Sequence, residues 1–192
     1  MKRSALRLVL PALALAAGFA SDAAFAQAKV IPAQSRIDFA IKEMGVPVDG
    51  KFAKWTADIA FDPKKPEAGR IAFTVDTGSA TFGVRETDVE LPKPEWFNVA
   101  KFPTASFAST SIKAAGGGRF DVAGKLTVKG TAKDVVVPVT VTQAAGTTTA
   151  AGQFVIKRND YRVGEGEWTD TSALADEVQV KFRIALSGVG PL

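Results

Sequence analysis

From Phe120 to Val141 the chain reads F-D-V-A-G-K-L-T-V-K-G-T-A-K-D-V-V-V-P-V-T-V, two alternating runs joined by a glycine-bearing segment. A period of two residues places successive side chains on opposite faces, so the stretch is read as a β-hairpin with one dry face. In the first arm Phe120, Val122, Leu126 and Val128 share a face with Gly124, opposite Asp121, Lys125, Thr127 and Lys129. In the second arm Val135, Val137, Val139 and Val141 share a face, and Gly130 to Asp134 supplies the turn chemistry. Pro138 has no N–H to give a ladder, which predicts an edge, a bulge or a non-bonded position there.

The same alternation recurs at Ile37-Phe39-Ile41, at Trp55-Ala57-Ile59-Phe61, at Ile71-Phe73-Val75 and from Val178 to Leu186. Weaker versions lie at Thr104 to Ile112 and Thr148 to Ile156. With the hairpin arms these make about eight strands, an all-β pattern. A sheet of that size, apolar on one face, protects its edges by closing into an antiparallel barrel or folding into a sandwich. Two regions break the period. Thr77 to Pro103 is punctuated by prolines and reads as an irregular cover, with a short helix starting at Pro94 and running through Trp96, Phe97, Val99 and Ala100. Arg158 to Glu177 is a long polar loop rich in acidic residues, of the kind that is often functional or disordered.

The first residues speak to the compartment. Lys2, Arg3 and Arg7 precede an apolar run from Leu8 to Ala20, and Ala24-Phe25-Ala26 offers the small residues of a signal-peptidase site. The expectation is therefore a leader over residues 1–26, cleaved after Ala26, and one domain over 27–192 exported to the periplasm. Without the leader the net charge of +4 is halved. No basic cluster then remains to neutralise a row of phosphates, which argues against nucleic acid as a partner. No other segment is apolar enough over sufficient length to span a membrane, so the chain is not expected to be membrane-integral.

The chain contains no histidine and no cysteine. This removes the commonest general base, the usual partner of a nucleophilic serine, the thiol chemistries and the main transition-metal ligands. Glycine-rich nucleotide cradles are absent as well. Glu165, Glu167 and Asp170 beside Trp168 offer a hydrolase the two carboxylates it needs, but such a pair without a defined separation specifies little. The same acids lack the spacing of a calcium loop. What stands out instead is 13 Phe and 3 Trp, many on the inward parity. A barrel of about eight strands holds either a plug of side chains or one small ligand.

Several pieces, in order along the chain, resemble a known family. They are Ser35-Arg36-Ile37-Asp38-Phe39 with Met44-Gly45-Val46 and Gly50-Lys51-Phe52; Phe61-Asp62-Pro63; Ser79 with Gly83, Asp88 and Leu91; Trp96-Phe97-Asn98 with Phe102-Pro103 and Phe107; Gly124 to Gly130; and Arg158-Asn159-Asp160-Tyr161. Together, from about Pro32 to Leu186, the sequence resembles the YceI-like proteins, lipocalin-like bacterial domains associated with polyisoprenoid binding. It departs from the common pattern at Glu43, where many relatives carry histidine, and at Phe82 and Thr87, where threonine and arginine are often seen.

The resemblance implies a lipocalin-like barrel whose lumen holds a polyisoprenoid, a quinone or a related amphiphile as ligand, with no cofactor and no turnover. Phe39, Phe52, Trp55, Phe73, Phe82, Trp96, Phe97, Phe107, Phe154 and Trp168 are the candidate lining, with Tyr161 or Arg162 receiving a polar head. Gly164 to Ser172 is similar to a periplasmic subset whose relatives occur with membrane cytochromes, which brings in the quinone and a cytochrome partner by analogy. A homodimer paired through a barrel edge is open, with no residue singled out for it. The rival readings are the hydrolase on the acidic loop and a ligand-free stress-response or interaction module with a filled barrel.

Overall fold

The computed structural model describes residues 27–192; the expected leader lies outside them. Each alternating run forms a strand. In chain order the strands are β1 (Gln27–Val30), β2 (Arg36–Glu43), β3 (Val46–Phe52), β4 (Trp55–Ala60), β5 (Arg70–Asp76), β6 (Ala80–Thr81), β7 (Thr104–Gly116), β8 (Arg119–Val128), β9 (Thr131–Ala144), β10 (Thr147–Lys157) and β11 (Leu174–Ser187), with one α-helical turn, α1 (Arg85–Asp88). All ladders are antiparallel. β4, β5, β7, β8, β9, β10 and β11 follow one another around the wall, and β1 closes it by pairing with both β11 and β4. The result is a closed eight-stranded antiparallel barrel, as the alternation and the resemblance both led one to expect.

β1 and β2 follow one path along β11, from Val30 opposite Leu186 to Arg36 opposite Arg183. Between them the 3-10 turn Pro32–Gln34 interrupts the ladder. Ser35 mends the break: its Oγ accepts from the Ala185 N–H at 2.9 Å and donates to the Ile31 carbonyl at 2.8 Å. Here the wall forks. Below the turn the partner on the far side is β4; above it, β2 pairs with β3, which in turn carries β6.

The hairpin that dominates the sequence is β8 and β9, paired from Val128–Thr131 to Arg119–Thr140. Its turn is shorter than the composition suggests. Lys129 and Gly130 alone make it, with φ of +47° and +74°, the two positive values a tight hairpin turn demands. Residues 131–134 already belong to β9.

Both barrel ends are covered. At one, the 3-10 turn Pro66–Ala68 lies against β7, Val189 packs on the core, and the Gln143 side chain holds the tail through the Gly190 carbonyl and the Leu192 N–H. At the other sit residues 77–103 and the loop 158–173. The helical element of this cover stands at Arg85–Asp88, whereas Pro94 to Ala100 is a series of tight turns. The reason is local: Phe97 N–H reaches back to the Leu91 carbonyl and Asn98 to Lys93, and Asn98 takes a positive φ of +49°. A regular helix cannot pass through that residue.

Candidate functional site

Inward parity puts one side chain in two from each strand into the lumen, and nearly all of these are apolar. They leave a cavity of about 150 Å³ whose lining presents essentially no polar surface. Ile59, Phe61, Ile112, Phe120 and Ile184 line it toward the tail-covered end, and Leu126, Val137 and Phe154 toward the cover. Phe61 and Phe120 meet edge to face at 5.1 Å. Among the described residues no buried side-chain polar atom lacks a hydrogen-bond partner, so nothing inside calls for a charged group.

Two lumen phenylalanines are held against the wall by glycines. A Cβ on Gly124 would lie 2.4 Å from the Phe107 ring, and one on Gly152 would lie 2.6 Å from the Phe182 ring. Each ring occupies the space of the missing side chain on the neighbouring strand.

The cover is fastened by two buried cations. Lys129 is 3% exposed; its Nζ donates to the carbonyls of Pro94 and Arg162, both at 2.7 Å, and to Glu165 Oε2 at 2.7 Å. Arg158 spreads its guanidinium over the carbonyls of Ala175, Leu174, Val163 and Gly164. One hairpin turn thus ties the cover to the acidic loop, and one arginine folds that loop upon itself. The bond from Lys129 holds the Glu165 carboxyl below the usual carboxylate range. Asp88 is likewise lowered, by the Thr81 hydroxyl and then by the Phe82 N–H, which it accepts at 2.7 Å.

This geometry can be set beside known proteins. Residues 29–186 match the YceI-like domain family. The chain belongs to that family. A UPF0312 protein of Pseudomonas syringae pv. tomato is 33% identical over 144 residues, 73% of each chain. Among solved structures, Burkholderia cenocepacia BcnA is 42% identical with a TM-score of 0.80, over 82% of this chain and 99% of that one. A polyisoprenoid binding domain from Saccharophagus degradans, implicated in plant cell wall breakdown, shares the fold at 17% identity and a TM-score of 0.67, over 85% of this chain and 98% of that one.

In this YceI-like barrel the aromatics singled out from sequence divide into groups. Phe73, Phe107 and Phe154 line the cavity, and Trp55 lies tilted against Phe73 with ring centroids 6.1 Å apart. Phe39, Phe82 and Phe97 form a second cluster under the cover with Leu91, and Phe52 bridges it to the main core. Phe39 lies 5.1 Å from Phe52 and 5.2 Å from Phe82. Trp96 and Trp168 meet each other at 5.3 Å, with Trp168 39% exposed. Tyr161 is 2% exposed in a third cluster with Ala105 and Val128. Arg162 contributes its carbonyl to the Lys129 clip. Cavity residues that sequence reasoning left out are Phe61, Phe120, Phe182 and most of the Ile and Val wall; their inward parity was the available signal.

The stretch Gly124 to Gly130 acts mainly as support. Gly124 seats Phe107, Leu126 reaches the cavity, Lys129 clips the cover, and Gly130 lies against the Phe102 ring, where a Cβ would approach to 2.7 Å.

Proposed function

We propose that this YceI-like chain is an exported carrier or sequestering protein that holds the apolar part of a polyisoprenoid, quinone or related amphiphile in its lumen, without turning it over. The observation that carries the reading is the closed barrel with a cavity free of polar surface. A space of about 150 Å³ is the size at which an apolar cavity stays dry and accepts a benzene-sized guest. A longer chain is accommodated as the Phe rings of the wall move aside. Each isoprene unit offers about 4 kcal/mol from its five carbons, before ordering costs. The family membership and the polyisoprenoid-binding relative support the same class of ligand.

The acidic loop gives the hydrolase reading less support, because Glu165 is engaged by Lys129 and Asp170 accepts the Ser172 N–H at 2.8 Å. Among the described residues no helix is long and apolar enough to cross a membrane. The outward positions of β8, such as Asp121, Lys125 and Thr127, are polar where the strands of an outer-membrane barrel present apolar residues.

The test is native mass spectrometry of protein purified from its own host, followed by organic extraction, with uptake of farnesol and decylubiquinone measured on the emptied protein. A retained isoprenoid-type molecule, or saturable uptake of either probe, is expected. Protein that is empty from the host and takes up neither overturns the proposal.

A further inference from the structure

β9 and β10 run on together beyond the point where their ladder ends. Pairing stops at Val139 opposite Gly152, although β9 begins at Thr131 and β10 continues to Lys157, and each keeps its other neighbour over that length. Pro138 accounts for the break. The Val141 N–H donates to the Gly118 carbonyl across from β8, so odd-numbered residues of β9 face β8 and even-numbered ones face β10. After Thr140 the next donor owed to β10 belongs to residue 138, and proline has none. The β8 ladder, which needs nothing from that position, passes through it unbroken.

Beyond Pro138 the strands are therefore joined by no ladder, and the unpaired seam between them is a slit in the hydrogen bonding of the wall. Asp134 and Val136 on one lip and Gln153 and Val155 on the other have no strand partner across it. Val136 and Val155, which a continued register would set face to face, are 62% and 54% exposed. Their chain neighbours Val137 and Phe154 line the cavity. An apolar rim on the outside thus lies one residue from the lumen wall on both lips. At the far end an exposed ion pair, Lys133 to Asp160 at 3.6 Å, spans the seam, a contact of little strength.

The two barrel ends are obstructed, and the groove at the fork between β1 and β4 is lined in part by polar groups such as Lys29, Thr56 and Asp76. One barrel end is packed by Val189 and the Phe61–Phe120 pair, and the other lies beneath a cover tied down by Lys129 and Arg158. We infer that the slit between β9 and β10 beyond Pro138 is the passage by which an apolar guest reaches and leaves the lumen. The inference rests on the proposed lumen binding.

The absence of native cysteine makes the test direct. Val136→Cys with Val155→Cys bridges the slit on oxidation. Thr142→Cys with Thr149→Cys bridges the same two strands where they are already paired, as the control. Uptake of dansyl-labelled farnesol is followed by stopped flow. The oxidised slit variant is expected to take up the probe at least tenfold more slowly and to recover on reduction, while the control keeps the native rate. Pro138→Val, which restores the missing N–H, is expected to slow uptake in the same direction. Native rates in both the bridged slit variant and Pro138→Val, or equal slowing by the control bridge, overturn the passage while leaving lumen binding intact. An unbridged protein that binds no probe overturns lumen binding, and the passage with it.

Discussion

Lys129 occupies a left-handed backbone position that few non-glycine residues adopt, and its buried ammonium compensates by satisfying two carbonyls and a carboxylate. Lys129→Met leaves those acceptors without a donor and is expected to cost about 2–4 kcal/mol in urea unfolding. The pH dependence follows from Glu165. Its folded-state carboxyl titrates below its ordinary value because of Lys129, so the unfolded chain binds protons first as pH falls. The stability it contributes is present above the ordinary glutamate range and is lost as pH drops through the lower folded value. Glu165→Gln is expected to flatten that acid-side loss; an unchanged slope of stability against pH sinks the assignment. None of this was legible in sequence, where Lys129 counts as one more outward residue of a strand and Glu165 as one member of a solvated acidic loop. Parity says which way a side chain leaves its strand, and it is silent about the turn that reverses the backbone at Lys129-Gly130.

At the scale of elements, alternation located β2, β4, β5 and β7 to β11, and it missed β1, β3 and β6. The physical reason differs in each case. β1 and β6 are four and two residues long, too short to show a period, and their pairing is decided by remote partners. β3 carries Pro47 and Gly50 where a strand pattern expects bulk. Gly50 is nevertheless essential to its position, since a Cβ there would stand 2.4 Å from the tip of the Phe39 ring on β2. Gly50→Ala is expected to cost about 1–3 kcal/mol through overpacking. Adding Phe39→Leu should recover part of that loss, with a coupling above about 0.5 kcal/mol in a double-mutant cycle. Gly152→Ala should find no such rescue from Phe182→Leu, because there the Pro138 carbonyl, at 2.4 Å, is as close as the ring. Strictly additive costs at Gly50 and Phe39 would show that the ring does not sit where the glycine allows it.

For the whole molecule, the barrel and its dry interior were legible because every long strand repeats the same period; the partition of that interior was not. Inward parity cannot say how far along the barrel axis a residue such as Phe107 lies, and it does not reach Phe97 in the irregular cover at all, so sequence named both as lining without telling them apart. They separate only in three dimensions, Phe97 into the cluster with Leu91 and Phe107 against the open space. This difference makes function and stability separable. Phe97→Leu and Phe107→Leu each remove aromatic bulk from a packed site and are expected to cost similar stability, about 1–2 kcal/mol. Only Phe107→Leu widens the bore, so only it should shift preference from farnesol toward the bulkier decylubiquinone, read as the ratio of their Kd values by calorimetry. The shift should persist at temperatures well below both unfolding transitions, where lost stability no longer bears on binding. Equal changes in that ratio for both variants would mean that the guest does not lie against Phe107, and that the cavity is a packing defect of the barrel instead of its binding site.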